Sequence, residues 1–117
     1  MRIFVYGTLL TGFGNWERFL KDKAYYRGLG ETLPVYTMLN LGSFPGVIEG
    51  GSTAIKGEIF EVDAQTLARL DRLEGHPNFY RRTPITLADG RPVEIYISNR
   101  SDTQHYTVVT SGSWRDK

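Results

Sequence analysis

Two short stretches of the sequence place residue types at spacings that could do chemistry. The first is the segment Ala64 to Glu74, read as a helix at about 100° per residue. Its buried stripe is Leu67, Leu70 and Leu73, and Glu74, seven residues after the first and four after the second, falls inside that stripe. Arg69 and Arg72 point the other way on the same wheel. No basic residue stands where it would pair with Glu74 along the helix, and Asp71 adds a like charge three residues back. Burial, that neighbour and the negative end of the helix dipole all favour the neutral acid. A carboxylate poised near neutrality in an apolar cavity suits general acid/base work. The plainer reading is a last-turn glutamate that swings into solvent or pairs with Arg81 or Arg82.

The second stretch is FVYGTLLTG, where a buried first strand runs into Tyr6, Gly7, Thr8 and Leu9. Such a turn can leave successive backbone N–H groups converging on one spot, a concavity that binds anions. Gly7 permits close backbone approach there. The same residues also make an ordinary turn, so the stretch alone leaves both readings open.

The elements that must hold these stretches follow from periodicity and punctuation. Arg2 to Tyr6 is a short apolar, β-prone run ended by glycine and predicts a buried strand. Asn15 offers a cap for a short helix whose apolar face is Trp16, Phe19 and Leu20. Tyr25 to Asn40 predicts bent or bulged strands, because Gly28, Gly30 and Pro34 interrupt it. Ala54 to Val62 is a strand apolar on both faces, and Asp63 caps the helix that follows. Tyr80 to Ala88 and Arg91 to Ser98 flank Asp89-Gly90, a hairpin signal with alternating apolar residues in each arm. The tail from Ser101 is polar, with Tyr106, Val108 and Val109 as anchors, and is expected to wrap the surface.

At 117 residues the chain is read as one domain, residues 1–117, with one core. Fourteen basic and thirteen acidic residues, scattered along it, give no electrostatic footprint for nucleic acid or a membrane surface. There is no cysteine, hence no disulfide framework and no thiolate nucleophile, and the separated His76 and His105 make no metal site. No cofactor is expected. The N-terminus lacks the features of a signal peptide, and no segment approaches the ~20 apolar residues of a membrane span, so a cytoplasmic location is expected. A small molecule is the expected partner and a monomer the default state.

Taken together, the motifs resemble the γ-glutamylcyclotransferase-like (AIG2-like) family. The matching residues are Tyr6-Gly7-Thr8-Leu9, the run G-E-I-F-E-V-D at Gly57 to Asp63, and L-x-x-L-D-x-L-E-G at Leu67 to Gly75. Tyr80 and Arg81 follow, then S-G-S-W at Ser111 to Trp114, where relatives often have S-G-D-W. The similarity covers nearly the whole chain and looks closest to γ-glutamylamine cyclotransferases and their small bacterial relatives. It implies an α+β fold, a small mixed β-barrel of roughly five to six strands flanked by two helices. It further implies that Glu74 is the proton acceptor and that the Tyr6 to Leu9 loop binds substrate through its backbone. Ser43 to Gly46 match a loop bordering the pocket, with Phe44 as a wall, and an aromatic is common near Tyr80; Tyr96, in the hairpin, is a further candidate. Arg81 and Arg82 could meet an acidic leaving group.

The implied reaction is cyclisation of a γ-glutamyl amide to 5-oxoproline with release of an amine or amino acid. Its nucleophile, the α-amine, belongs to the substrate, so the enzyme needs only a proton shuttle and donors for the developing oxyanion. The alternative is a catalytically silent domain of the same fold that binds a metabolite or a protein partner. A nucleic-acid-binding barrel would need a basic stripe with exposed aromatics, which the balanced charge does not supply.

Overall fold

The computed structural model describes residues 1–117. Its centre is β1 (Arg2–Val5), whose Ile3, Phe4 and Val5 are buried on both faces, as a strand with neighbours on either side requires. It pairs antiparallel with β5 (Lys56–Glu61) and parallel with β7 (Pro92–Ser98). With β2 (Tyr25–Glu31) beyond β5 and β6 (Tyr80–Thr86) beyond β7, the five-stranded order is β2-β5-β1-β7-β6. A second sheet has the order β4 (Pro45–Glu49), β3 (Tyr36–Asn40), β8 (Thr107–Val108). Two helices complete the fold, α1 (Gly14–Phe19) and α2 (Ala64–Glu74). No helix is long and apolar enough to cross a membrane.

The expected barrel does not close. β2 and β6 end the larger sheet, and no ladder joins it to the smaller one. After β2 the Thr32 N–H still reaches Ile55 O, but Pro34 has no N–H with which to extend that ladder, and the chain turns into a separate sheet. The bend expected in β2 is present: the register slips between Tyr26 and Leu29, where Gly28 takes a φ of 103°.

The Asp89-Gly90 hairpin pairs β6 with β7 from Tyr80↔Ser98 to Thr86↔Pro92. Asp63 caps α2 as expected, its side chain accepting from the Thr66 N–H. α1 differs. Its N-cap position is Phe13, without a side-chain cap, and the Asn15 amide donates instead to Thr8 Oγ1 at 2.8 Å. That bond ties the helix to the turn after β1, so the side chain expected to accept from the helix's first amides donates to the turn instead.

The core gathers residues from every layer, among them Ile3, Phe4, Met38, Ile59, Leu70, Ile95 and Trp114. Burying each large apolar side chain contributes about 1.5–3 kcal/mol. The α2 stripe is narrower than its wheel suggests: Leu70 is fully buried, Leu67 packs against the core edge, and Leu73 is exposed. The tail does more than wrap the surface. β8 extends the second sheet, Val109 is buried, and Trp114 is 2% exposed within the core cluster, whereas Val108 faces outward.

Candidate active site

The end of α2 fixes the position of Glu74. Gly75 adopts the left-handed conformation at φ 64°, its N–H bonding the carbonyls of Arg72 and Asp71, so the helix stops directly after the glutamate. A Cβ at Gly75 would meet Phe79 Cδ2 at 2.6 Å, a second reason for glycine at this stop. Beyond it, the Asn99 amide donates to the carbonyls of Pro77 and Asn78 at 2.7 and 3.0 Å, holding the following loop against the end of β7.

Glu74 opens onto a cavity of about 870 Å³. The catalytic candidate and the substrate-binding candidates line it: Glu74, the run Tyr6, Gly7, Thr8 and Leu9, and the aromatics Phe44, Tyr80 and Tyr96. Elements far apart in the chain thus converge, because β1 and β7 are parallel neighbours and α2 ends where β6 begins.

The Glu74 carboxyl is pushed up to about 7, and its burial is the cause. Asp71 does not raise it, contrary to the sequence expectation, because Asp71 is engaged elsewhere. Arg82 grips Asp71 through Nε at 2.9 Å and a second nitrogen at 3.2 Å, and Tyr96 donates its hydroxyl to the same carboxylate at 2.7 Å. Burial alone would raise Asp71, but these bonds outweigh it and hold the carboxyl below its usual range. Arg82 also pairs with Glu94 at 2.8 Å.

The tyrosines are held by their own hydroxyls. Tyr6 donates to the Tyr96 carbonyl at 2.7 Å and Tyr80 to the Pro45 carbonyl at 3.0 Å. Burial raises both hydroxyls above their ordinary range, and for each the nearby Glu74 charge adds to the effect. Tyr96 is raised by burial and then by its bond to Asp71. All three stay protonated at neutral pH, with oxygen lone pairs left to accept.

The turn after β1 supplies the opposite polarity. The backbone N–H groups of Tyr6, Gly7, Thr8 and Leu9 donate to no acceptor in the protein, while Leu10 N–H already closes the turn onto Gly7 O. Gly7 is required sterically: a Cβ there would lie 2.7 Å from Pro45 Cγ and 2.8 Å from Cδ. A further buried carboxylate, Glu58, braces the loop that follows by accepting from the Thr11 N–H and hydroxyl at 2.8 and 2.9 Å.

The two arginines expected to face an acidic group do not reach the cavity. Arg81 pairs with Glu49 and Asn99, and Arg82 is committed to Asp71 and Glu94. Arg72, placed on the outer face by the helical wheel, lines the cavity instead, as does Arg100. Their position had no signal in the sequence, since both depend on where the helix stop and the end of β7 meet. No group of three His, Asp or Glu side chains is placed to hold a metal.

Residues 3–116 match the family model described as gamma-glutamyl cyclotransferase, AIG2-like. The chain belongs to this family. A Methanocaldococcus jannaschii protein provisionally named a gamma-glutamylcyclotransferase is 38% identical over 97% of this chain and 95% of its own length. The Bos taurus gamma-glutamylaminecyclotransferase is 37% identical over 74% of this chain and 55% of its own length. An AIG2-like protein of Mus musculus has a similar solved structure, with a TM-score of 0.83 and 28% identity over 94% of this chain and 86% of that one.

Proposed function

We propose that the cavity binds a γ-glutamyl amide and converts it to 5-oxoproline and a free amine or amino acid. The carrying observation is Glu74: a carboxyl poised at about 7 in an apolar cavity, without a partner in the protein, beside a turn with four idle backbone donors.

In this reading Glu74 takes a proton from the substrate's α-ammonium. The freed amine attacks the γ-carbonyl carbon, closing a five-membered ring and moving charge onto the carbonyl oxygen. The Gly7, Thr8 and Leu9 N–H groups serve as donors to the anionic parts of the substrate, and the tyrosine oxygens accept from its ammonium. The C–N amide bond then breaks as Glu74 returns the proton to the departing nitrogen. The ring nitrogen, which still carries two hydrogens after the attack, gives up the second through Glu74 to the freed amine; two protons leave one nitrogen and two arrive on the other, so one carboxyl working in sequence suffices. Acid/base participation of this kind is worth about 10² to 10⁴ in rate.

Glu74→Gln keeps the shape and removes the proton shuttle. It is expected to abolish release of 5-oxoproline from γ-glutamyl amides while still binding them in calorimetry. Full activity in that variant would overturn the assignment, and a wild-type protein that binds but never turns over would favour the silent-domain reading.

A further inference from the structure

The charges lining the cavity are unevenly placed. Glu74 is its only carboxylate, and the remaining charged lining residues are Arg72 and Arg100, both exposed. The Arg72 side chain makes no ion pair, hydrogen bond or ring contact within the protein, in contrast to that of Arg69, which stacks on Phe19 at 4.9 Å. Arg100 is held by the Tyr106 hydroxyl at 3.0 Å and lies over that ring, with exposed Asp102 at 3.6 Å. Its charge reaches inward far enough to act on Tyr80, whose hydroxyl it pulls down against burial. The exposed part of the same lining is otherwise apolar in its large side chains: Phe44, Leu73 and Phe79 are 42%, 37% and 75% exposed.

This inference rests on the reading under Proposed function, which fixes the substrate's direction. The α-ammonium and the γ-carbonyl must both meet Glu74, and the α-carboxylate shares a carbon with the ammonium, so the γ-glutamyl half lies inward beside the idle amides. The group beyond the scissile bond therefore points to the mouth. A volume of about 870 Å³ leaves ample room for it.

We infer that the leaving group is an amino acid with an apolar side chain, its carboxylate met by Arg72 and Arg100 and its side chain lying against Phe44, Leu73 and Phe79. Guanidinium recognises carboxylate through paired N–H donors. A cationic leaving amine, such as that of a polyamine, would meet two like charges, of which only Arg100 has an acid beside it, the exposed Asp102.

The test compares γ-glutamyl-leucine with its decarboxylated counterpart, γ-glutamyl-3-methylbutylamide, and with γ-glutamyl-cadaverine. The wild type is expected to favour the leucine compound over the neutral amide by roughly tenfold in kcat/KM, and over the cationic amide by more. In Arg72→Met the gap between the first two is expected to shrink, mainly through KM, and in Arg72→Lys to recover in part. The same ranking is expected for binding of the three compounds to Glu74→Gln, which reads the mouth without turnover. Equal binding of all three, or preference for the cationic one, overturns the inference while leaving the cyclisation intact. An Arg72→Met loss that is equal for the leucine compound and the neutral amide also overturns it, since the arginine would then read the γ-glutamyl half. Absence of 5-oxoproline from every compound overturns the proposed function, and the binding ranking still decides the inference.

Discussion

The Tyr96 hydroxyl donates to Asp71 Oδ1 at 2.7 Å, and that bond separates the fates of two carboxylates three residues apart on α2. Asp71, gripped also by Arg82, is held ionised. Glu74, on the next turn, is buried without a partner and held near neutrality. Environments that push two acids apart in this way divide their labour, one carboxyl serving as scaffold and the other, in the proposed reaction, as shuttle.

The first prediction concerns pH. If Glu74 must be ionised to accept the proton, kcat/KM should rise with pH through an apparent pKa near 7. Because burial is the cause, Asp71→Asn should leave that limb close to 7 even though it weakens the hold on Arg82. A limb that falls toward the ordinary glutamate range in Asp71→Asn would show that the like charge matters after all. Rate profiles of both proteins between pH 5 and 9 decide it.

Stability should run against activity at the same residue. Between 4.5 and about 7 the folded protein holds a proton on Glu74 that the unfolded chain releases, so its contribution turns unfavourable as pH rises through that window. The penalty is absent below the unfolded value and complete above about 7, where it amounts to roughly 3 kcal/mol. Glu74→Gln is therefore expected to melt above the wild type at pH 8 and level with it at pH 4. Thermal denaturation at the two pH values measures the difference, and an equal shift at both would remove the link to ionisation.

The turn after β1 can be tested through Pro45. Gly7→Ala places a methyl within 2.8 Å of two ring carbons of Pro45, an overlap expected to cost about 1–3 kcal/mol and most of the activity. Pro45→Ala removes those carbons and keeps the carbonyl that accepts from Tyr80. The double variant should recover part of both losses, a coupling measurable in a double-mutant cycle. Strict additivity would mean that the glycine serves another purpose.

Trp114 anchors the tail. Truncating this core side chain to alanine is expected to cost about 3–5 kcal/mol. Val108→Thr, at an exposed position of β8, should stay within about 0.5 kcal/mol. Urea denaturation of the pair distinguishes a tail that is part of the core from one laid on its surface.

Local signals in the sequence carried most of the elements. Asp89-Gly90 specifies its hairpin because the turn needs a left-handed residue, and Asp63 specifies the start of α2 because only a short acceptor can reach the third amide. Glu74 was visible for a related reason, as a charge on a regular apolar stripe closed by Gly75. What stayed hidden is non-local. Asn15 looks like a cap until Thr8 is brought beside it, and Arg82 looks free until β6 lays it across Asp71 and Glu94. Leu73 fits the stripe by phase, yet it sits at the end of α2 where the core has ended and the cavity mouth begins. Closure of a barrel is likewise a matter of which edges meet, and alternation along a strand says nothing about that.

The four idle amides of Tyr6 to Leu9 give the free protein an unusual pattern of isotope exchange. They adjoin β1, the most enclosed strand of the sheet, yet no intramolecular bond has to open before deuterium can replace their hydrogens. Exchange should therefore change abruptly from slow to fast at the end of that strand. A molecule filling the cavity would close those four sites at once, so the turn serves as a built-in reporter of occupancy that needs no turnover and no attached probe.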